Sequence, residues 1–232
     1  PVHLYGSVVN ISDIKKIIKQ KNIVIIDDCS QAHGASYRTQ RVGSLADISC
    51  FSLYPGKNLG AYGDAGVITT NNKNFYKKIK NFRNLGSDKK FVHTQIGFNS
   101  RLDTLQASIL NNKLKFLNIY NNKRKKIAEK YNKLINNKKI IKLFYSSGAV
   151  YHQYVIMVNN RNALIKELDK NKIQYGLHYP KSINQLNALK KLFHNQTFSN
   201  SENLAKKCIS LPIDPTLSLK EIYRIIKVLN SF

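Results

Sequence analysis

A short run of β-branched residues, Ile23-Val24-Ile25-Ile26, stops at two consecutive carboxylates, Asp27 and Asp28, and a helical repeat of Ile11, Ile14, Ile17 and Ile18 stands just before it over residues 11–21. Continuous apolar strands this short belong to parallel sheets whose two faces are covered by helices. The pairing of helix and buried strand points to an α/β architecture, in which ligands bind beyond the carboxyl ends of the strands. Asp28 occupies such an end, which makes it a candidate ligand-binding carboxylate; a loop cap is the plainer alternative. Either Asn10 or Ser12 is suited to cap the helix.

The alternation continues along the chain. Ile48–Leu53 and Gly66–Thr70 read as strands, residues 73–84 as a basic helix, and 101–136 as a long helix weakened by two Asn pairs. After Gly148 the pattern restarts with a strand at Tyr151–Val158, a helix at Arg161–Lys170, a second strand at Gln174–Tyr179, and helices at Ser201–Ser210 and Leu219–Leu229, the last capped by Ser218. This change of character divides the chain into part of a larger α/β domain, residues 1–120, and a small C-terminal α+β domain, residues 121–232.

Charge raises a competing function. The chain carries 38 Lys+Arg against 13 Asp+Glu, a formal net charge of +25, which is typical of nucleic-acid binders. Its lysines, however, are spread throughout and sit beside Asn, and the densest cluster, Lys123-Arg124-Lys125-Lys126, falls in a helical pattern where a solvated face explains it. No nucleic-acid-binding motif accompanies the charge. The basic surface instead suits an anionic small substrate such as a nucleotide diphosphate, and no specific nucleic-acid partner is expected. The cysteines, Cys29, Cys50 and Cys208, are widely spaced and odd in number, which argues against a disulfide framework or a metal site and for a reducing cytoplasm. No apolar run approaches the ~20 residues of a membrane helix, and the opening residues are not expected to be a signal peptide. The start at Pro1-Val2-His3 reads as the interior of a longer protein.

The chemistry concentrates between Asp27 and Asn99. Tyr54-Pro55-Gly56-Lys57-Asn58-Leu59-Gly60 breaks all periodicity and sets Lys57 on an irregular turn. A lysine so placed can form a Schiff base with a carbonyl cofactor. Gly43, Gly56, Gly60, Gly63 and Gly66 let the backbone approach a ligand closely, and Ser52 on the preceding strand has a hydroxyl suited to a phosphate. Asp28 supplies the complement, because a carboxylate beside a pyridine nitrogen keeps it protonated, the state in which pyridoxal phosphate draws electrons. Each signal alone has a bland reading; the ordered combination is informative.

The segments Val24–Ala35, Arg41–Ser44, Phe51–Gly66 and Ile96–Asp103 resemble the DegT/DnrJ/StrS family, pyridoxal-phosphate-dependent aminotransferases acting on nucleotide-linked keto sugars; Pro1–Gly6, Tyr151–Ile156 and His178-Tyr179-Pro180 also match, so the likeness runs along essentially the whole chain. The resemblance implies the aspartate-aminotransferase type of fold (fold type I), with a mixed sheet in the large domain. It implies that Lys57 is the Schiff-base lysine and proton shuttle, that Asp28 pairs with the ring nitrogen, that Gln31 contacts the ring or its 3′ oxygen, and that Ser52 binds the phosphate. Asn99 would reach the phosphate of a neighbouring subunit, since the family builds its sites across a homodimer interface. His33, His178, Tyr179 and Asn184 are candidate substrate contacts, with structural roles the alternative. Relatives that are sugar dehydratases carry His where this chain has Lys57, so transamination is the implied reaction, with L-glutamate as donor and C3 of a dTDP-3-keto-6-deoxyhexose as acceptor. Where the family often shows His-Tyr-Pro-x-Pro-x-His, this chain has Ser182 and Asn184 in place of the second Pro and last His. The family's sequence also extends before the segment matching Pro1–Gly6, so the chain is expected to be an N-terminally truncated fragment. A non-catalytic relative of the same fold is the second reading, and a basic nucleic-acid binder the third.

Overall fold

The computed structural model describes residues 1–18, 22–193 and 196–232. The chain separates into two compact units: Pro1–Asn122 with Tyr145–His152, and Lys123–Phe144 with Gln153–Phe232.

The first unit opens with α1 (Ile11–Ile18), where Asn10 Oδ1 accepts from the Asp13 N–H at 3.4 Å; the remainder of the anticipated helix, 19–21, lies outside the described residues. A three-stranded sheet follows from β1 (Ile26–Asp28), β4 (Ile48–Ser52) and β5 (Gly66–Thr69), in the order β1-β4-β5. Between β1 and β4 lies a small hairpin, β2 (Ser36–Tyr37) and β3 (Gln40–Arg41). β1 runs parallel to β4, and β5 antiparallel to it, so the sheet is mixed. The strand begins later than the apolar run suggests: Ile23 and Val24 are exposed, and pairing with β4 starts at Ile26 and carries through Asp28. Pro1–His3 adds a short parallel edge, with the Asp28 N–H donating to the Pro1 carbonyl (2.9 Å) and the His3 N–H to the Asp28 carbonyl (3.0 Å).

Register assigns the two faces of this sheet. Asp27 pairs with Ser49 and Ser49 with Thr69, on the face that packs over Val8, Ile11, Ile25, Ala32, Ala35, Val42 and Leu45. Asp28, Cys50 and Ile68 form the next row and therefore point the other way. On that side Val2 is 51%, Ile26 56% and Ile68 49% exposed, so β1 is covered on one face only.

The unit continues with α2 (Lys73–Phe82), capped by the Asn72 side chain, a hairpin of β6 (Ser87–Lys89) and β7 (Val92–His93), and α3 (Thr104–Leu114). The single long helix anticipated over 101–136 is two helices. α3 ends at Leu114 and α4 (Leu117–Leu134) begins after a turn in which the Phe116 N–H donates to the Lys113 carbonyl, so the break falls between the two Asn pairs.

The second unit packs an antiparallel sheet in the order β10-β9-β8, from β8 (Ile140–Lys142), β9 (Tyr154–Val158) and β10 (Cys208–Leu211), with α5 (Arg161–Lys170), α6 (Ser199–Lys207) and α7 (Leu219–Ser231). α7 begins at a Ser218–Glu221 capping box and buries Ile222, Ile225, Ile226 and Leu229. Leu164, Leu168 and Leu229 are fully buried, each worth about 2 kcal/mol of apolar transfer. Two expectations fail in this unit. Cys208–Ser210 belong to a strand, not to the preceding helix: all of β10 is buried against β9, and Pro212 ends it. Gln174–Tyr179 forms no strand; only Gly176 pairs, with Ser210, because a glycine packs no side chain and Pro180 soon removes a donor.

Candidate active site

The first unit gathers most of the predicted site residues around the carboxyl ends of β1 and β4. Asp28 ends β1 on the open face, and Ser52 ends β4 on the same face, two residues beyond the row of Asp28 and Cys50. The Asp28 Oδ1 also accepts from the Ser30 N–H at 2.9 Å, which fixes the turn leading to Gln31.

Gln31 is 6% exposed, and its Oε1 accepts from the Tyr5 N–H at 2.5 Å. That bond fixes the amide orientation: the oxygen is turned to Tyr5, which leaves Nε2 as the donor end of the side chain. Tyr5 sits at φ 59, and Gly6 at φ 86, where a Cβ would fall 2.9 Å from the Gln31 carbonyl oxygen, so glycine is required there.

Lys57 follows Ser52 on a tight turn. Its N–H donates to the Tyr54 carbonyl at 2.9 Å, and the Ala61 N–H returns to the Leu53 carbonyl at 2.8 Å, which closes the loop. Leu53 and Ala61 are buried with Leu110 beneath it. Gly60 makes the closure possible: a Cβ there would stand 2.4 Å from the Pro55 carbonyl oxygen. Lys113 Nζ donates to the Gly60 carbonyl at 2.5 Å and lies 5.2 Å from the Tyr62 ring centroid. Burial lowers the Lys57 pKa from its ordinary value, and the nearby charge of Asp28 works in the opposite direction.

His33 is 3% exposed and packs against Phe51 at a ring separation of 5.4 Å. Neither ring nitrogen makes a hydrogen bond of normal geometry. Burial drives its pKa down to about 4; the Ser52 backbone favours the charged ring and the Lys57 charge disfavours it, but desolvation is the larger effect. His33 is thus a neutral group beneath the Ser52–Lys57 segment. Asn99 is held by a different set of contacts: it is exposed, bridges to Asn84 and accepts from Arg101 Nε at 3.0 Å.

His178, Tyr179 and Asn184 belong to the second unit. His178 Nδ1 lies 2.8 Å from Ser210 Oγ, and Tyr179 is 51% exposed. The Asn184 amide is committed internally: Nδ2 donates to Glu202 Oε1 (2.8 Å) and the Gln196 carbonyl (3.1 Å), while Oδ1 accepts from Ser182 Oγ (2.6 Å).

Sequence reasoning passed over a buried cluster behind β1. His3 Nδ1 accepts from the Val9 N–H at 3.0 Å, so Nε2 carries the ring hydrogen and donates to Asp27 Oδ2 at 3.0 Å. His3, Asp27 and Cys29 place ligand-type atoms within 4.8 Å of one another, but the imidazole is occupied on both nitrogens and burial raises the Cys29 thiol far above its ordinary pKa. The cluster is a hydrogen-bonded support for β1. Only the isolated buried-strand signal and the Pro1–Gly6 match hinted at it.

The DegT/DnrJ/EryC1/StrS aminotransferase family matches residues 1–230. The chain belongs to this family. It is 40% identical over 233 residues to dTDP-3-amino-3,6-dideoxy-alpha-D-galactopyranose transaminase from Aneurinibacillus thermoaerophilus, an alignment that takes in 100% of this chain and 64% of that protein. Among solved structures, S. venezuelae DesV in complex with a ketimine intermediate superposes with a TM-score of 0.92 at 31% identity, over 100% of this chain and 63% of that one. NtdA from Bacillus subtilis with bound cofactor PMP gives 0.90 at 28% identity, over 99% and 55%. The chain therefore spans about 64% of the length of that relative. The fold is that of the fold-type-I sugar aminotransferases, and the family is pyridoxal-phosphate-dependent.

The donor set fits that cofactor. A carboxylate stands ready for a ring nitrogen, an amide NH2 of fixed orientation for a ring oxygen, a hydroxyl at a strand end for a phosphate, and an amine of lowered pKa for an aldehyde carbon.

Proposed function

We propose that this chain supplies the reacting part of an aminotransferase that places an amino group on a nucleotide-linked keto-deoxysugar. The favoured acceptor is C3 of a dTDP-3-keto-6-deoxyhexose and the favoured donor L-glutamate, a reading supported by the likeness to a dTDP-3-amino-3,6-dideoxy sugar transaminase. The observation that carries it is Lys57, a partly buried amine on a closed turn with Asp28 within electrostatic reach.

When bound, the cofactor supplies the electron sink for chemistry at the amino-bearing carbon. Nζ of Lys57 would hold it and, when not bonded to it, would carry the reacting proton, and burial favours the neutral amine that this second role requires. Asp28 keeps the ring nitrogen protonated, Gln31 donates to the ring oxygen, and Ser52 holds the phosphate. His33 is assigned to packing behind this group, in keeping with its neutral, buried ring. The resemblance makes His178 and Tyr179 candidate substrate contacts, and the Asn184 amide serves the internal bonding of the second unit.

A homodimer with shared sites belongs to the same proposal. Its support is the exposure of apolar side chains in the same stretch of chain as Asn99: Ile96 is 92% and Phe98 60% exposed. Among the described residues no helix is long and apolar enough to cross a membrane, and three unpaired cysteines support a reducing, cytoplasmic compartment.

Incubation of the full gene product with L-glutamate and a panel of dTDP- and UDP-keto sugars, with the aminated carbon read by NMR, tests the reading. Amination at C3 of a dTDP sugar is expected. Cofactor binding without amino transfer to any acceptor contradicts it and favours a non-catalytic relative.

A further inference from the structure

The turn that carries Lys57 is tethered through the side chain of the next residue. Asn58 Nδ2 donates to Asn121 Oδ1 at 2.9 Å and to the Val150 carbonyl at 3.2 Å, and Asn58 Oδ1 faces His152 Nδ1 at 3.0 Å. Both amide hydrogens meet acceptors, so the orientation of the amide is determined, and the His152 nitrogen that faces its oxygen is the one bearing hydrogen. Asn121 is 6% exposed and passes the contact on, its Nδ2 donating to the His33 carbonyl at 2.8 Å. Two separate stretches of the first unit, around Asn121 and at Val150–His152, thereby meet on the side chain of a third. The packing under the turn is independent of it, since Leu53, Ala61 and Leu110 fill that space with apolar contacts.

We infer that Asn58 is a positioning residue for Lys57, acting through an orientation set by Asn121 and His152. This rests on the reading of Lys57 as the amine that holds the cofactor. A carboxylate at position 58 keeps the shape but loses both donors and sets negative charge against two oxygens, those of Asn121 and Val150. At His152, Gln retains a donor for Asn58 Oδ1, whereas Leu does not.

The test uses the full gene product loaded with pyridoxal phosphate. Asn58→Asp, Asn58→Ala and His152→Leu should each weaken the visible band of the lysine-held cofactor and lower kcat about 10- to 100-fold while leaving KM for the keto sugar within about threefold, the pattern of a misplaced reacting group. His152→Gln should recover most of the band. A modest drop in melting temperature with the fold retained is expected, since hydrogen bonds are lost while the apolar packing stays in place. Parental band and kcat, within twofold, in Asn58→Asp and His152→Leu overturn the inference. So does loss of fold in all three weakened variants, which makes the amide a part of the fold and not of the lysine's placement. A parent that forms no cofactor adduct on Lys57 removes the underlying reading as well, and is told apart by borohydride trapping of the parent alone.

Discussion

His3 Nε2 lies 3.0 Å from Asp27 Oδ2, and both side chains are closed to solvent. The backbone of the same His3 donates to Asp28, so one residue holds β1 by its main chain and its ring together. Burial pushes the Asp27 carboxyl up, but the hydrogen bond from His3, the nearby Ser49 and Cys29 and the attraction of His3 outweigh it, and the net shift is down.

Removing the ring should therefore be costly. His3→Ala leaves a buried carboxylate without its donor, and a loss of about 3–5 kcal/mol is expected in urea unfolding at pH 7. A carboxyl lowered in the folded state stabilises above its unfolded pKa of about 3.9, and that contribution disappears as pH falls through the folded value. In the variant the same carboxyl keeps its burial and loses its donor, so its folded pKa rises, and the gap between parent and variant should narrow as pH falls and the variant's carboxyl takes up a proton. A gap under about 1 kcal/mol at pH 7 contradicts the bracing role.

His33 acts in a different pH window. Its folded pKa is lowered to about 4, so the unfolded chain binds a proton near pH 6.5 that the folded chain refuses. Stability should fall as pH drops from about 6.5 toward 4, by roughly 3 kcal/mol in total. The ring resonances should show no titration above pH 5 by NMR. A midpoint near 6.5 contradicts the buried neutral ring.

Local chemistry was legible in the sequence, and distant pairing was not. The Ser52–Gly60 segment announced itself because glycines and a proline cannot continue a strand, and Asp28 because it ends a β-branched run. Nothing local, however, shows that Asn58 meets Asn121, Val150 and His152: those partners stand 63, 92 and 94 positions away in the chain. Cys208–Leu211 continues an apolar pattern that suits a helix as well as a strand, and only its pairing with β9 decides. The break at Lys115–Phe116 carries no glycine or proline to mark it.

The tight turn at Gly60 yields a plain expectation. Gly60→Ala puts a methyl against the Pro55 and Tyr54 carbonyl oxygens, at 2.4 and 2.7 Å before relaxation. Because these are backbone atoms, the turn must move. A loss of about 1–3 kcal/mol in thermal unfolding is expected, with slower reaction of Lys57 toward pyridoxal phosphate. An unchanged melting temperature and reaction rate contradict the close approach.

Asn184 separates a structural from a recognising role. Asn184→Ala removes the partner of Glu202, Ser182 and the Gln196 carbonyl, and a loss of about 1–2 kcal/mol is expected in urea unfolding. The ratio of kcat/KM between dTDP and UDP keto sugars should stay within about twofold. A changed preference with unchanged stability makes Asn184 a substrate contact instead.

The account turns on Lys57. The direct measurement is borohydride reduction of the full gene product loaded with pyridoxal phosphate, followed by peptide mass mapping. A single phosphopyridoxyl adduct on the peptide carrying Lys57, absent in Lys57→Ala together with the visible band, is the predicted result. An adduct on another lysine, or a visible band that persists in Lys57→Ala, contradicts the assignment.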